Sequence, residues 1–387
     1  MHEFAAPNVY QTRSGTARVV ESASLVEEAL WKKSFSRHCK DHRFYAVLEE
    51  TLPDQFDYRY VILENARTGE RAVQPFFFVA QDLTAGLPKK LRAPVDRIRK
   101  RFPRFLKMRI LMVGCAAGEG NIGCTEPWAV EALHDFLGAY PRVAGPAIIL
   151  LKDVPADYRS DLALFPANGY TRVPSMPAAT LNLDFTSFED YMQKKLSRIF
   201  RKNLRRKFKA AAAYPLITLE VVTDVSPFVE KIFPLYLQTF HRSQFKFEEL
   251  NKEFFCQLGR KMPDRVRFFL WRQEGRIIAF SLCMVHDGVL YDVNVGLDYS
   301  VAHDLHLYFI TWRDIIQWSI ENGLKMYHTG PLNYDPKLHL RLKLAPLDLY
   351  ARHASALLNP FFKIAIRYLQ PARHDPILAR FPNAKEL

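Results

Sequence analysis

The stretch TSFEDYMQKKLSRIFRKNLRRKFK, residues 186–209, decides how the rest of the chain divides. It opens with a helix start. Thr186 can cap the first amides, and Glu189 three residues on can close a capping box. Glu189 and Asp190 occupy the first turn, where the helix dipole favours negative charge. Met192, Leu196, Ile199, Phe200, Leu204 and Phe208 recur mostly at three- and four-residue steps, which predicts one apolar stripe on a single helix. The rest of its surface is basic: Lys194, Lys195, Arg198, Arg201, Lys202, Arg205, Arg206, Lys207 and Lys209. Like charges at helical neighbours repel by roughly a few tenths of a kcal/mol per pair, and no acid follows Asp190 to offset this. A helix docked on one side, with its other side turned to an anionic ligand, is expected. A merely solvated basic face is the plainer alternative.

Outward from this stretch, 387 residues are enough for two domains with real cores. With 29 Phe and 17 Tyr, those cores are ring-rich. The net charge of +13 is concentrated in the run above and in KKLRAPVDRIRKRFPR at 89–104, a distribution that steers anions. Five scattered cysteines (Cys39, Cys115, Cys124, Cys256, Cys283) form no CxxC pair. That argues against a disulfide framework or a zinc site and for reduced thiols in a cytoplasm. The first twenty residues have no apolar core behind a basic start, so a signal peptide is not expected. AGPAIILL at 144–151 is strand-length, well short of the roughly 20 residues a membrane span needs.

In chain order, Ser22–Ser34 reads as a helix and Phe44–Glu49 as a strand. Arg59–Asn65 and Ala72–Ala80 read as a hairpin with Gly69 in the turn. Residues 84–107 read as a basic loop with a short helix, and Lys107–Gly114 as a buried strand. Thr125 and Pro127 start a helix running to about Leu137. Strands follow at Ala147–Lys152, Gly169–Val173 and Thr180–Leu183, with a short helix at Asp157–Phe165. After the basic helix come a strand at Leu216–Val222 and helices at Pro227–His241 and Glu248–Lys261. Arg265–Arg272, Arg276–Val285 and Val289–Val295 form a meander, His303–Asn322 a long helix, and Leu324–His328 a strand. The loop TGPLNYDPKLH, a strand-like PLDLYAR and a basic amphipathic helix around Phe361–Leu369 end the chain. Each half thus reads hairpin or meander, strand, helix, strand. The fold class is α+β, laid out twice, with domains at 1–183 and 184–387.

Three places carry candidate chemistry. CAAGEGNIG at 115–123 joins a strand to a helix and can present amides to phosphate. It lacks the Lys-Ser or Lys-Thr of a P-loop, and a plain tight turn is the simpler reading. At VNVGLDYSVAHDLHLY, 293–308, a strand end meets the start of a long helix. That is a place for a pyrophosphate or a thioester carbonyl, although no Arg/Gln-x-x-Gly-x-Gly string is present. His303, Asp304 and His306 lack the i, i+4 pair of a helical metal site, and no metal is expected. In the third place, Tyr334 and Lys337 can meet a substrate carboxylate or phosphate, or protonate a leaving group. No GxSxG and no Cys–His couple stands out. Direct attack by a bound amine needs only positioning and a proton acceptor.

FTSFEDYMQKKLSRIFRKNLRRKFKAA, the meander RFFLWRQEGRIIAFSLCMVHDGVLYDVNVGLD, and HDLHLYFITWRDIIQWSIENGLKMYHTGP together resemble the GNAT superfamily. The resemblance is to its double-domain branch of Fem-type and cellulose-biosynthesis-like acyltransferases, and covers about 180–345. It implies two tandem GNAT-like domains, each a mixed, mostly antiparallel sheet flanked by helices, the first degenerate and the second catalytic. It further implies N-acyl transfer to an amine of a small molecule or cell-envelope precursor. The donor would be acyl-CoA as co-substrate, acetyl-CoA first of all, or aminoacyl-tRNA in the Fem manner. On this reading Arg198, Arg201, Lys202 and Arg205 hold the anionic part, and Asn294, His303 and Tyr308 line the donor at the strand end. Tyr334 and Lys337 line the acceptor side, and Asp292, Asp298 and His303 are candidate bases. A non-catalytic anion- or nucleic-acid-binding protein on the same scaffold is the other class.

Overall fold

The computed structural model describes residues 8–82, 89–103, 107–243 and 246–387. They form two compact units that interleave in sequence. The first holds residues up to Ser36, Lys40–Ser175 and Leu347–Arg373; the second holds Arg37–Cys39, Met176–Pro346 and His374–Leu387.

The first unit contains β1 (Val9–Thr12), β2 (Gly15–Val20), β3 (Asp57–Asn65), β4 (Arg71–Asp82), β5 (Lys107–Val113), β6 (Ile148–Pro155), β7 (Thr171–Pro174) and, late in the chain, β15 (Leu347–His353). The sheet order is β1-β2-β3-β4-β5-β6-β15-β7. Only β5 and β6 run parallel among these described pairs. The crossover between them is α4 (Pro127–Ala144), whose buried Leu133, Phe136, Leu137 and Tyr140 pack on Phe76, Leu111 and Val113. The other helices are α1 (Glu28–Phe35), α2 (His42–Thr51), α3 (Lys89–Arg99), α5 (Leu164–Ala167) and α12 (Asn359–Leu369).

The second unit repeats the plan with β8 (Ala178–Asn182), β9 (Ile217–Val222), β10 (Val266–Gln273), β11 (Arg276–His286), β12 (Val289–Leu297), β13 (Met326–Thr329) and β14 (Lys343–Ala345). Its order is β14-β8-β13-β12-β11-β10-β9, and β12 and β13 run parallel. Its helices are α6 (Phe188–Lys195), α7 (Arg198–Ala211), α8 (Val229–Arg242), α9 (Lys252–Lys261), α10 (Leu307–Glu321) and α11 (Tyr334–His339). Gly296 lets β12 lie close under α8: a Cβ there would stand 2.2 Å from the Phe280 ring and 2.8 Å from the Leu235 backbone. Among the described residues no helix is long and apolar enough to cross a membrane.

The α+β class and the doubled strand–helix–strand plan are as expected, and several local readings change. The division at 183/184 does not follow the packing, because β8 pairs with β13 and β14 while β15 returns to the first sheet. The run at 44–49 is helical, not extended. Asp41 caps it by accepting the Arg43 amide at 3.0 Å, and Phe44, Tyr45, Val47 and Leu48 share a buried face. α10 begins at Leu307 instead of His303, because the intervening turn is gathered on Asp298, whose carbonyl accepts the Val301 and Ala302 amides. α4 starts behind Glu126, not Thr125, and runs on to Gly145, which ends it at φ 72°.

The basic stretch of 186–209 is two helices. Leu196 is extended, with φ −88° and ψ 146°, and Ser197 caps α7 by accepting the Phe200 amide. α6 is capped by Ser187 instead of Thr186. The Thr186 amide goes to Asp190, and Glu189 reaches Gln193 and Arg205 in place of closing a capping box. The break rotates the second half of the stripe. Leu196 and Leu204 stay buried while Ile199 is 85% exposed.

Candidate functional site

The second unit's parallel pair aligns Val289–Asp292 with Met326–Thr329 and stops there. β13 ends at Thr329, whereas β12 runs on to Leu297. Asp292 therefore sits where the two strands part, and beyond it that edge of β12 has no strand partner among the described residues. The other edge is bulged at the same place. Cys283 pairs with Asp292 and Leu282 with Asn294, so Val293 is the extra residue. Bulges re-aim side chains and collect at such sites.

Asp292 is held from both sides. The Ser281 hydroxyl donates to Oδ1 at 2.7 Å, and the Tyr327 hydroxyl donates to Oδ2 at 2.7 Å. Burial pushes its carboxyl above the ordinary range despite these bonds and the nearby Lys337 charge, which pull the other way. Lys337, on α11, is 5% exposed, and its Nζ donates to the Gly330 carbonyl at 2.5 Å. Burial lowers its ammonium to about 7, and the charge of Asp292 opposes the shift without cancelling it. Tyr308, in the first turn of α10, feels the Asp292 charge and has Asn333 as a hydrogen-bond partner; burial raises its hydroxyl. Cys283 lies near the same carboxylate, and burial raises its thiol too. A thiol so shifted is a poor nucleophile.

Both helices at this fork start from non-glycine residues in the left-handed region. His306 has φ 51° before α10, and Leu332 and Asn333 have φ 72° and 51° before α11. Such backbone is costly and collects at functional sites. α7 lies against the start of α10 and the end of α11. Phe200 is 6.4 Å from Phe309 and stacks 5.4 Å from His339, and Lys207 sits 5.0 Å over Phe309. The charges of Lys207 and Arg206 reach His306, adding to burial in lowering its pKa.

Of the residues the sequence singles out, the fork brings together Asp292, Lys337 and Tyr308, with Asn294 on the same strand. Tyr334 does not line a substrate space: it is 2% exposed, and its hydroxyl donates to the Pro177 carbonyl at 2.7 Å. Its loop folds as α11, which turns Tyr334 inward with Lys337. Arg201 and Arg205 serve the two helices themselves. Arg201 donates to the last carbonyls of α6, 2.7 Å from Leu196 O, and Arg205 pairs with Glu189. Arg198 and Lys202 are exposed on α7, and His303 is exposed on the turn before α10. Asp298 is tied to Arg276 at 2.9 Å and to Ser300, so it is committed locally. Sequence reasoning passes over Ser281 and Tyr327. The one signal for Ser281 is a lone hydroxyl inside the apolar run RIIAFSLCMV. It also ranks Arg201 and Arg205 above Arg206 and Lys207, which are the cations at the junction.

The turn between β12 and α10 has largely spent its amides. Tyr299 N–H donates to Gln238, Ser300 N–H to the Asp298 carboxylate, Leu305 N–H to Val301 and His306 N–H to His303. The Gly-rich segment of the first unit is likewise no phosphate cradle. Gly114, Ala116, Gly120 and Gly123 give their amides to Pro75, Tyr58, Asp153 and Gln74. Among the described residues no group of three or more His, Cys, Asp and Glu is placed to hold a metal.

Residues 161–339 match the FemAB-like family, described as peptidoglycan biosynthesis/recognition. Among solved structures the chain is similar to FemX, at 13% identity with a TM-score of 0.53, covering 84% of this chain and 93% of that one. It is also similar to the C-terminal domain of a protein described as a lysylphosphatidylglycerol synthetase from Agrobacterium fabrum. There the identity is 12% and the TM-score 0.51, over 88% of this chain and 97% of that one. At these identities the likeness is one of fold. A Mycobacterium tuberculosis protein named for 8-amino-7-oxononanoate synthase 2 is 22% identical over 281 residues, or 67% of this chain. The match spans only 35% of that protein's length. Residues 161–339 are thus similar to the FemAB-like family, and the fold of the chain is similar to those of FemX and the synthetase domain.

Proposed function

We propose that the second unit transfers an activated acyl group to an amine at the β12–β13 fork. The observation that carries this reading is half-buried Asp292, standing where β12 loses its strand partner and within reach of the charge of buried Lys337. The acyl carbonyl lies along the free edge of β12, whose backbone supplies donors to its oxygen. The amine attacks, a C–N bond forms, and the proton it loses passes to neutral Lys337, which Asp292 then stabilises as an ammonium. The bond to the leaving atom breaks. Tyr308, kept neutral by its raised pKa, donates to that atom.

For the donor we favour an aminoacyl ester on tRNA over acyl-CoA. A pyrophosphate cradle needs free amides, and the turn before α10 has few. Exposed Arg198 and Lys202, with Arg206 and Lys207 nearer the fork, instead suit an extended polyanion. The acceptor is an amine of a cell-envelope precursor, in keeping with the family's description.

Thermal stabilisation by tRNA set against acetyl-CoA, followed by transfer of a labelled acyl group, tests this. Stabilisation by tRNA that weakens steeply with salt, and by less in R206A/K207A, is expected. Stabilisation by acetyl-CoA alone would overturn the donor, and unimpaired transfer by K337M would overturn the site.

A further inference from the structure

The first unit carries an apolar helix face that none of its described residues covers. α12 is anchored on its inner side. Asn359 donates to the Gly169 carbonyl at 2.9 Å and accepts the His353 amide at 3.0 Å, and Phe362 lies 6.1 Å from the His353 ring. Its outer side presents Phe361, Ile364 and Tyr368, exposed by 72%, 71% and 64%, and Leu357 just ahead of it is 85% exposed. Residues 355–373 contain Lys363, Arg367 and Arg373 and no acid. An apolar face with basic flanks is the pattern of a helix that lies in a membrane interface without crossing it.

At the base of the helix opens a cleft of about 460 Å³, bounded by Arg142, Arg352, His353 and Lys363 with Asn168 and Asn359, and no carboxylate among the described residues lines it. The Nε–H of Arg352 is buried without an acceptor among the described residues. A second basic and apolar element leaves the same end of the sheet. α3 lies in the sequence between Asp82 and Lys107, which pair at the end of β4 and the start of β5. In register, Ile110 pairs with Ile148 and Ile148 with His353, the last residue of β15 before α12. On and just after α3, Arg97, Lys100 and Arg101 are exposed together with Ile98 and Phe102.

We propose that this end of the first unit docks on an anionic phospholipid bilayer, with the outer face of α12 in the interface and a lipid headgroup phosphate in the cleft. Charge complementarity selects this occupant. A second copy of the chain would set the same cations against each other, whereas an anionic surface neutralises them.

Flotation of the full chain with vesicles tests the proposal. It floats with phosphatidylglycerol–phosphatidylcholine vesicles and far less with phosphatidylcholine alone. F361S/I364S lowers binding to the anionic vesicles by at least about tenfold. K363Q/R367Q narrows the preference for anionic over neutral vesicles, and circular dichroism and Tm confirm that both variants fold. Failure to float with anionic vesicles, or variants that bind as the parent does, would overturn it. So would a dimer by light scattering that F361S/I364S dissociates while vesicles stay unbound, which would assign the face to self-association.

Discussion

In the first unit, β5 and β6 run parallel over Ile110–Val113 and Ile148–Leu151, and the chain that follows β5 then folds back onto the free part of β6. Gly120 gives its amide to Asp153, and a Cβ there would stand 1.7 Å from the Lys152 carbonyl. Lys152 reaches Gly118, and Lys40 reaches Ala117 and Glu119, so side chains grip the segment's carbonyls as well. In the second unit the corresponding strands part at Asp292, and no segment is stitched to the edge of β12 beyond it among the described residues. Ionisable groups stand at both forks, but Lys152 is paired with Asp153 and bound to Gly118, whereas burial lowers the Lys337 ammonium and raises the Asp292 carboxyl. One framework, used twice, is closed on itself in one unit and left open in the other. The first spends its amides and carbonyls on itself, while the second leaves an edge open beside half-buried Asp292 and buried Lys337.

The largest effects that sharpen this contrast are in transfer. Asp292→Asn and Lys337→Met should each lower the turnover of a labelled acyl group by about 10²–10⁴-fold. The melting temperature of K337M should not fall, since the substitution removes an ammonium that burial penalises. A parallel drop in Tm and activity would make Lys337 a structural residue and break the comparison. Next in size, Gly120→Ala in the first unit should cost about 2–4 kcal/mol in denaturant unfolding while leaving transfer per folded molecule intact. Lost transfer at full stability would mean that the stitched segment is reactive after all.

The pH dependence is the third test. Lys337 titrates near 7 in the fold against the ordinary lysine range once unfolded. Between those values the unfolded chain binds more protons, so stability should rise with pH from about 7 to about 10, by at most about 1.4 kcal/mol per unit. Transfer should climb through the lower end of that window as the amine becomes neutral. K337M should flatten the stability slope, and an unchanged slope would remove Lys337 as its source. The smallest effect is at the paired helices. Glu189→Gln should cost less than about 1 kcal/mol, because its ion pair with Arg205 is exposed. A loss of transfer there would bring the α6–α7 break into the chemistry.

The order of elements, the basic surface of 186–209, and Asp292 and Lys337 as candidates are legible in the chain, because they rest on period, spacing and residue type. The break at Leu196–Ser197 is hidden because apolar residues keep helical spacing across it. The Ser197 cap is its one local sign.

What the sequence by itself determined is the doubled α+β plan, since strand and helix periods depend on neighbours a few residues away. Only the tertiary structure decided that β15 rejoins the first sheet and that the Gly-rich segment closes its own fork. It alone turned Tyr334 inward and brought Ser281, Asp292, Tyr327 and Lys337 together from four separate elements. Those outcomes depend on long-range pairing and on desolvation, which act through distances that residue order does not encode.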